Sequence, residues 1–88
     1  MDELKRALEL LDTITSDSTV PKNIRDVCSS SITRLNNQNE RVHIRIGAAI
    51  SMLDELSQDP NLPFHTRTQV WEIASLLETA STSAEAKC

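Results

Sequence analysis

Four consecutive residues, His65, Thr66, Arg67 and Thr68, place an imidazole, a guanidinium and two hydroxyls just after Pro63, where the pattern predicts a helix to begin. The first turn of a helix has unpaired backbone N–H groups and the positive end of the helix dipole, so this set could hold a phosphate or an acidic group of a partner. The same residues serve equally as caps and solvated surface, and one histidine is weak evidence for chemistry. His43 and His65 lack a second histidine, a cysteine or a carboxylate at a recognised helical ligand spacing, and Glu40, three before His43, is a common neighbour on a polar face. No Gly-x-Ser-x-Gly elbow places a nucleophile. Gly47 is the only glycine, which excludes a glycine-rich phosphate loop. The residues therefore assign no catalytic group, no cofactor-binding residue and no metal ligand, and the expectation is a protein that is not an enzyme and carries no cofactor.

Two other constellations stand out. Asp17 with Arg25, and Asp59 with Arg67, bracket two predicted turns in the same way. They read as a charged site shared by two turns, or as structural pairs in which each arginine bonds its aspartate or the carbonyls ending the preceding helix. Asp12 and Asp54 admit the same two readings. Phe64 and Trp71 lie seven apart, on a stripe offset from the apolar face of Val70, Ala74 and Leu77. Surplus aromatic surface marks a partner or self-association site, whereas a structural Trp71 would close an end of the core.

Arg34, Arg41 and Arg45, with Lys22, could form a local basic patch. The formal net charge of −4 opposes a general nucleic-acid binder, since such proteins draw their affinity from lysine and arginine on phosphates. A solvated face is the simpler account of these arginines. Cys28 falls inside a helical pattern and Cys88 is the last residue, so the pair has neither metal spacing nor the look of a disulfide framework. Together with the lack of a long apolar run and the charges at Asp2, Glu3, Lys5 and Arg6, this predicts a cytoplasmic protein without a membrane segment.

The elements that must position these residues are helices. With 88 residues the chain suffices for one small core, and one glycine, no tyrosine and abundant leucine, isoleucine and alanine favour an all-α domain. Leu4, Ala7, Leu8, Leu11 and Ile14 recur at helical spacing, with Leu10 at the margin. Ile24, Val27, Cys28, Ile32 and Leu35 form a second stripe after Pro21, which suits the first turn of a helix, and the serine run 29–31 weakens that helix. A third helix is predicted from about Glu40 to Ser57 around Ile46, Ala49, Ile50, Leu53 and Leu56. A fourth runs to about Thr79 around Val70, Ile73, Ala74 and Leu77.

The first stripe reappears in the third helix at a constant offset of 42, as do Asp12, Asp17, Pro21 and Arg25 in Asp54, Asp59, Pro63 and Arg67. The expected architecture is a compact four-helix bundle of two duplicated αα-hairpins, residues 2–36 and 40–79, related by a pseudo-two-fold axis, with a frayed tail over residues 80–88.

The run from Leu53 to Ser57, then Asp59-Pro60-Asn61-Leu62-Pro63 and His65-Thr66-Arg67-Thr68, resembles the signature of a small uncharacterised archaeal protein family of the UPF class. Leu11-Asp12, Thr19-Val20-Pro21 and Asn23-Ile24-Arg25 are similar in the first half. The serine run at 29–31 and the segment 42–46 depart from the family pattern. The resemblance implies a short all-helical cytosolic protein with no established activity. A weaker similarity is to HEAT-type hairpins, but the Asp-to-Arg distance is too long and two hairpins are too few for a solenoid. The functional expectation is a non-enzymatic interaction module, monomeric or homodimeric, holding a protein partner around Phe64, His65, Arg67, Thr68 and Trp71. The alternatives are an accessory nucleic-acid binder using Arg34, Arg41 and Arg45, and an anion- or phosphate-binding enzyme at the start of the fourth helix.

Overall fold

The apolar stripes fold as helices α1 (Asp2–Thr15), α2 (Lys22–Leu35), α3 (Val42–Leu56) and α4 (Phe64–Ala86) in a computed structural model that describes residues 2–86. Each helix packs on its neighbours in the chain, α1 also packs on α4, and the diagonal pairs do not meet. The result is a closed ring of four helices, and the short connections make successive helices antiparallel. No strand occurs among the described residues.

Inside the ring, Ala7, Leu11 and Ile14 of α1 and Ile46, Ala49, Leu53 and Leu56 of α3 are buried. From α2 and α4 come Ile24, Cys28 and Leu35, and Val70, Ile73 and Leu77. Each fully buried Leu or Ile contributes roughly 1.5–3 kcal/mol. Leu4, Leu8, Val27, Ile32 and Ile50, expected in the core, pack on its margin half-buried, and Ala74, expected inward on the fourth helix, is half-buried as well. Among the described residues two buried polar side chains complete the set. Ser31 bonds the Val27 carbonyl at 3.0 Å, while Thr66 is fully enclosed with its hydroxyl unpaired.

The burial pattern keeps the 42-residue register in α2 and α4 as well: Ile24, Cys28, Ser31 and Leu35 correspond to Thr66, Val70, Ile73 and Leu77, all buried. Val20 and Leu62, one in each outer turn, correspond in the same way and plug one end of the core.

Three details correct the sequence reading. Pro21 is the N-cap of α2 (φ −54°, ψ 147°) and not its first helical residue. Glu40 belongs to the turn before α3, whose N-cap is Arg41. The expected frayed tail is helical as far as Ala86: Ala80 is fully buried, and neither proline nor glycine interrupts the run. Thr79 and Thr82 return their hydroxyls to the carbonyls of Ser75 and Glu78 at 3.2 and 3.1 Å, keeping the polar segment compatible with a helix. Cys88 lies outside the described residues.

Candidate functional site

Three connections of one design position the charged residues. In each, an Asx side chain accepts from the backbone N–H two residues on: Asp17 from Thr19 at 2.9 Å, Asn37 from Asn39 at 3.1 Å and Asp59 from Asn61 at 2.8 Å. In each, the carbonyl of that residue also accepts from the N–H three residues on, at Val20, Glu40 and Leu62. This is an Asx turn closed by a β-turn, a conformation that aspartate and asparagine favour.

Eight residues after each Asx stands an arginine, and all three are half-buried. None of them bonds the aspartate. Arg25 Nε donates to the Val20 carbonyl at 2.9 Å, Arg45 to the Leu35 carbonyl at 2.7 Å, and Arg67 to the Ser57 carbonyl. The arginines thus satisfy carbonyls that a helix end or a turn leaves without a partner. The alternative of direct Asp17–Arg25 and Asp59–Arg67 pairs is corrected, because each aspartate is already committed to its own turn. Asp12 and Asp54 point outward and are exposed.

At the end of the ring that holds the first and third connections, the aspartates cross between hairpins. Asp17 Oδ2 faces His65 Nε2 at 3.7 Å, and Asp59 Oδ2 accepts from Asn23 Nδ2 at 3.1 Å. Each carboxylate therefore lies beside the first turn of the other hairpin's second helix, where a helix favours negative charge. The Asp17 carboxyl is held below its ordinary value, first by the Thr19 hydroxyl at 2.6 Å, then by the Thr19 N–H, with His65 a smaller influence.

The His65–Thr68 run is dispersed by this geometry. His65 turns toward Asp17, Thr66 into the core, Arg67 back to the end of α3, and Thr68 outward to solvent. The proposed anion set is not brought to one point, and the protein's own carboxylates occupy the ends of α2 and α4.

The aromatics behave differently. Phe64 and Trp71 are 86% and 60% exposed on the outer face of α4, so Trp71 does not close the core. Among the described residues Ile44, on α3, is the third large apolar side chain left in solvent. Among the arginines grouped by sequence, Arg34 pairs with Glu40 at 2.8 Å, Arg45 is engaged by the Leu35 carbonyl, and Arg41 is exposed. Among the described residues no group of three or more His, Cys, Asp or Glu is placed to hold a metal ion, and no helix is long and apolar enough to cross a membrane. Burial pushes the Cys28 thiol up to about 11, which keeps it protonated and unreactive at neutral pH.

Sequence reasoning overlooked the middle connection. Asn37, Glu40, Arg41 and Arg45 stand where the first connection has Asp17, Val20, Pro21 and Arg25, an offset of 20 that was present in the sequence. Substitution of Asn for Asp and Arg for Pro hid it.

Comparison with known proteins gives a consistent result. The model of an uncharacterised protein family, UPF0147, matches residues 1–80. A UPF0147 protein of Methanosarcina acetivorans is 47% identical over 76 residues, which are 86% of this chain and 78% of that protein. One from Thermoplasma volcanium is 46% identical over 74 residues, 84% of this chain and 83% of its own. Among solved structures, the protein of unknown function MMP1188 superposes with a TM-score of 0.85 at 45% identity, covering 89% of each chain. A UPF0147 protein from Thermoplasma acidophilum superposes with a TM-score of 0.86 at 41% identity, covering 89% of this chain and 92% of that one. The sequence resemblance and the fold thus converge, and this chain belongs to UPF0147, an uncharacterised family whose matching relatives come from archaea.

Proposed function

We propose that the protein is a non-enzymatic helical interaction module of the cytoplasm that holds a protein partner on the outer face of α4. The observation that carries this reading is the placement of the aromatics. The chain has one phenylalanine, one tryptophan and no tyrosine, and both aromatic rings are exposed on a single helix. A small domain short of core material gains stability by burying such side chains, since each large ring removes much apolar area from water. Leaving both outside fits a surface that a partner completes, and tryptophan is enriched where partners meet. His65 and Thr68, exposed on the same helix, would supply a polar rim, while Arg67 is engaged at the Ser57 carbonyl. The constant register of buried positions supports treating the two hairpins as duplicated copies. On that reading Phe64 and Trp71 are additions to the second copy, because Lys22 and Ser29 hold the matching places in the first.

Nucleic-acid binding through Arg34, Arg41 and Arg45 is the weaker reading, since Glu40 and the Leu35 carbonyl already engage two of the three. The test is affinity capture from an extract of the native organism, with and without nuclease and moderate salt, using the wild type and Phe64→Ser/Trp71→Ser. A stoichiometric partner that survives nuclease and is lost from the double variant supports the α4 surface. Loss of all partners with nuclease would transfer the reading to the arginines. Recovery of the protein alone, with a dimer by light scattering that the double variant abolishes, would make the partner a second copy.

A further inference from the structure

The serine run 29–31 has a structural result that the α4 surface does not use. The small side chain of Ser30 lines the α2–α3 seam, and Ser31 is buried behind it. Beside them lies a groove of about 450 Å³ with Val27, Met52 and Leu56 on its apolar floor and Asp26, Glu55 and Asp59 on its rim. A second depression of about 610 Å³ continues it toward Arg34 and Asn37, sharing Ser30 and Met52. From Asp26 to Asn36 the seam runs along α2 for about 15 Å, nearly three helical turns. Met52, half-buried and 3.4 Å from the Ser31 hydroxyl, is the adaptable element of the floor.

Charge selects what fits. The three carboxylates line one groove, and among the described residues their only salt bridge is Asp26 with Lys22, 3.4 Å apart in an exposed i,i+4 pair that contributes little, while Asp59 accepts from Asn23 and Asn61. Among the described residues Glu55 meets no basic side chain. A groove between two antiparallel helices accepts a third helix through apolar anchors at i, i+3 and i+4 spacing.

We propose that the α2–α3 groove docks an amphipathic helix of a protein partner, which seats an apolar side chain on Val27, Met52 and Leu56 and directs lysine or arginine to Asp26 and Glu55. This surface is separate from the α4 aromatics, because no residue of α4 lines the groove and Phe64 and Trp71 face solvent on α4. The reading goes beyond the proposed function and stands or falls without it.

Three labelled peptides of about 14 residues test it. They share one leucine–methionine stripe and carry lysine, glutamine or glutamate beside it, and binding to the full chain is followed by fluorescence anisotropy. The lysine peptide binds, and the glutamate peptide does not. Glu55→Lys and Ser30→Phe each weaken the lysine peptide roughly tenfold or more, by charge reversal and by filling the groove. Glu72→Lys, an equal charge change on α4, and Trp71→Ser leave it within about twofold of wild type. Circular dichroism of Glu55→Lys and Ser30→Phe confirms their helical content before binding is compared. Equal binding of lysine and glutamate peptides overturns the proposal, as does equal weakening by Glu55→Lys and Glu72→Lys, or no binding of the lysine peptide. A dimer of the free protein broken by Ser30→Phe would place a second copy in the groove and also overturn it.

Discussion

Asn23 on α2 and Asp59 before α4 are 36 residues apart in the chain and joined by a 3.1 Å hydrogen bond. It links the start of one hairpin's second helix to the turn of the other, and Asp17 and His65 face each other in the reciprocal arrangement. Both contacts are exposed, so their role is to register the two hairpins and their energy is small.

The two partners of that bond do unequal work. Asn23→Ala removes only the cross-link and is expected to cost about 0.5 kcal/mol, whereas Asp59→Ala also opens the Asx turn at Asn61 and is expected to cost about 1–2 kcal/mol. Asp59→Asn keeps the turn, as Asn37 does in the middle connection, and is expected to lie near wild type. Urea unfolding of the three variants measures the order.

Arg45 donates at 2.7 Å to the last carbonyl of α2, and truncation leaves that carbonyl without its charged partner. Arg45→Ala is expected to destabilise by about 1.5–3 kcal/mol. Arg45→Lys is expected to recover only part of this, since the ammonium lacks the planar fork that reaches the carbonyl. Thermal unfolding followed by circular dichroism compares them.

The Asp17 carboxyl is lowered in the folded protein, first by Thr19. A carboxyl lowered on folding stabilises above its unfolded pKa, and that contribution is lost as pH falls through the folded value. The affected window therefore lies in acid, below the ordinary value of 3.8. Carbon-detected NMR titration is expected to show the Asp17 midpoint moving up more in Thr19→Ala than in His65→Ala. Stability should depend less on pH in that acid window in Asp17→Asn.

Trp71 is the single tryptophan and is 60% exposed, so its emission reports the proposed surface directly. In the free protein it is expected to be red-shifted and readily quenched by acrylamide. Partner binding on α4 should shift it to the blue and protect it. Trp71→Ser should change stability by less than about 0.5 kcal/mol, because a surface substitution removes little native packing.

The sequence made the helices and their inward faces legible because the apolar period is strong: Leu11, Ile14, Ile46 and Leu53 could be placed from spacing alone. Ser31 and Thr66 escaped that reading because their polarity masks their positions. Each is buried where the other hairpin has an isoleucine, Ile73 and Ile24. The bonds of the arginines were legible only as one of two alternatives, because a backbone carbonyl has no letter in the sequence that would single it out. Arg25 and Arg67 could be assigned either to Asp17 and Asp59 or to the carbonyls ending the preceding helix; Arg67 takes the second course at Ser57, while Arg25 bonds the turn carbonyl of Val20. The end of α4 was misjudged because alanine, serine and threonine lack the apolar repeat by which the other helices were followed.

The use of main-chain acceptors at the three junctions bears on how such a fold can drift over generations. An ion pair ties two positions together, so losing one side chain strands the other until a second change compensates. Here every junction arginine depends on an oxygen present whatever residue carries it. Neighbouring positions can therefore change one at a time without passing through a mismatched intermediate, which suits a scaffold whose outer faces are free to acquire different contacts.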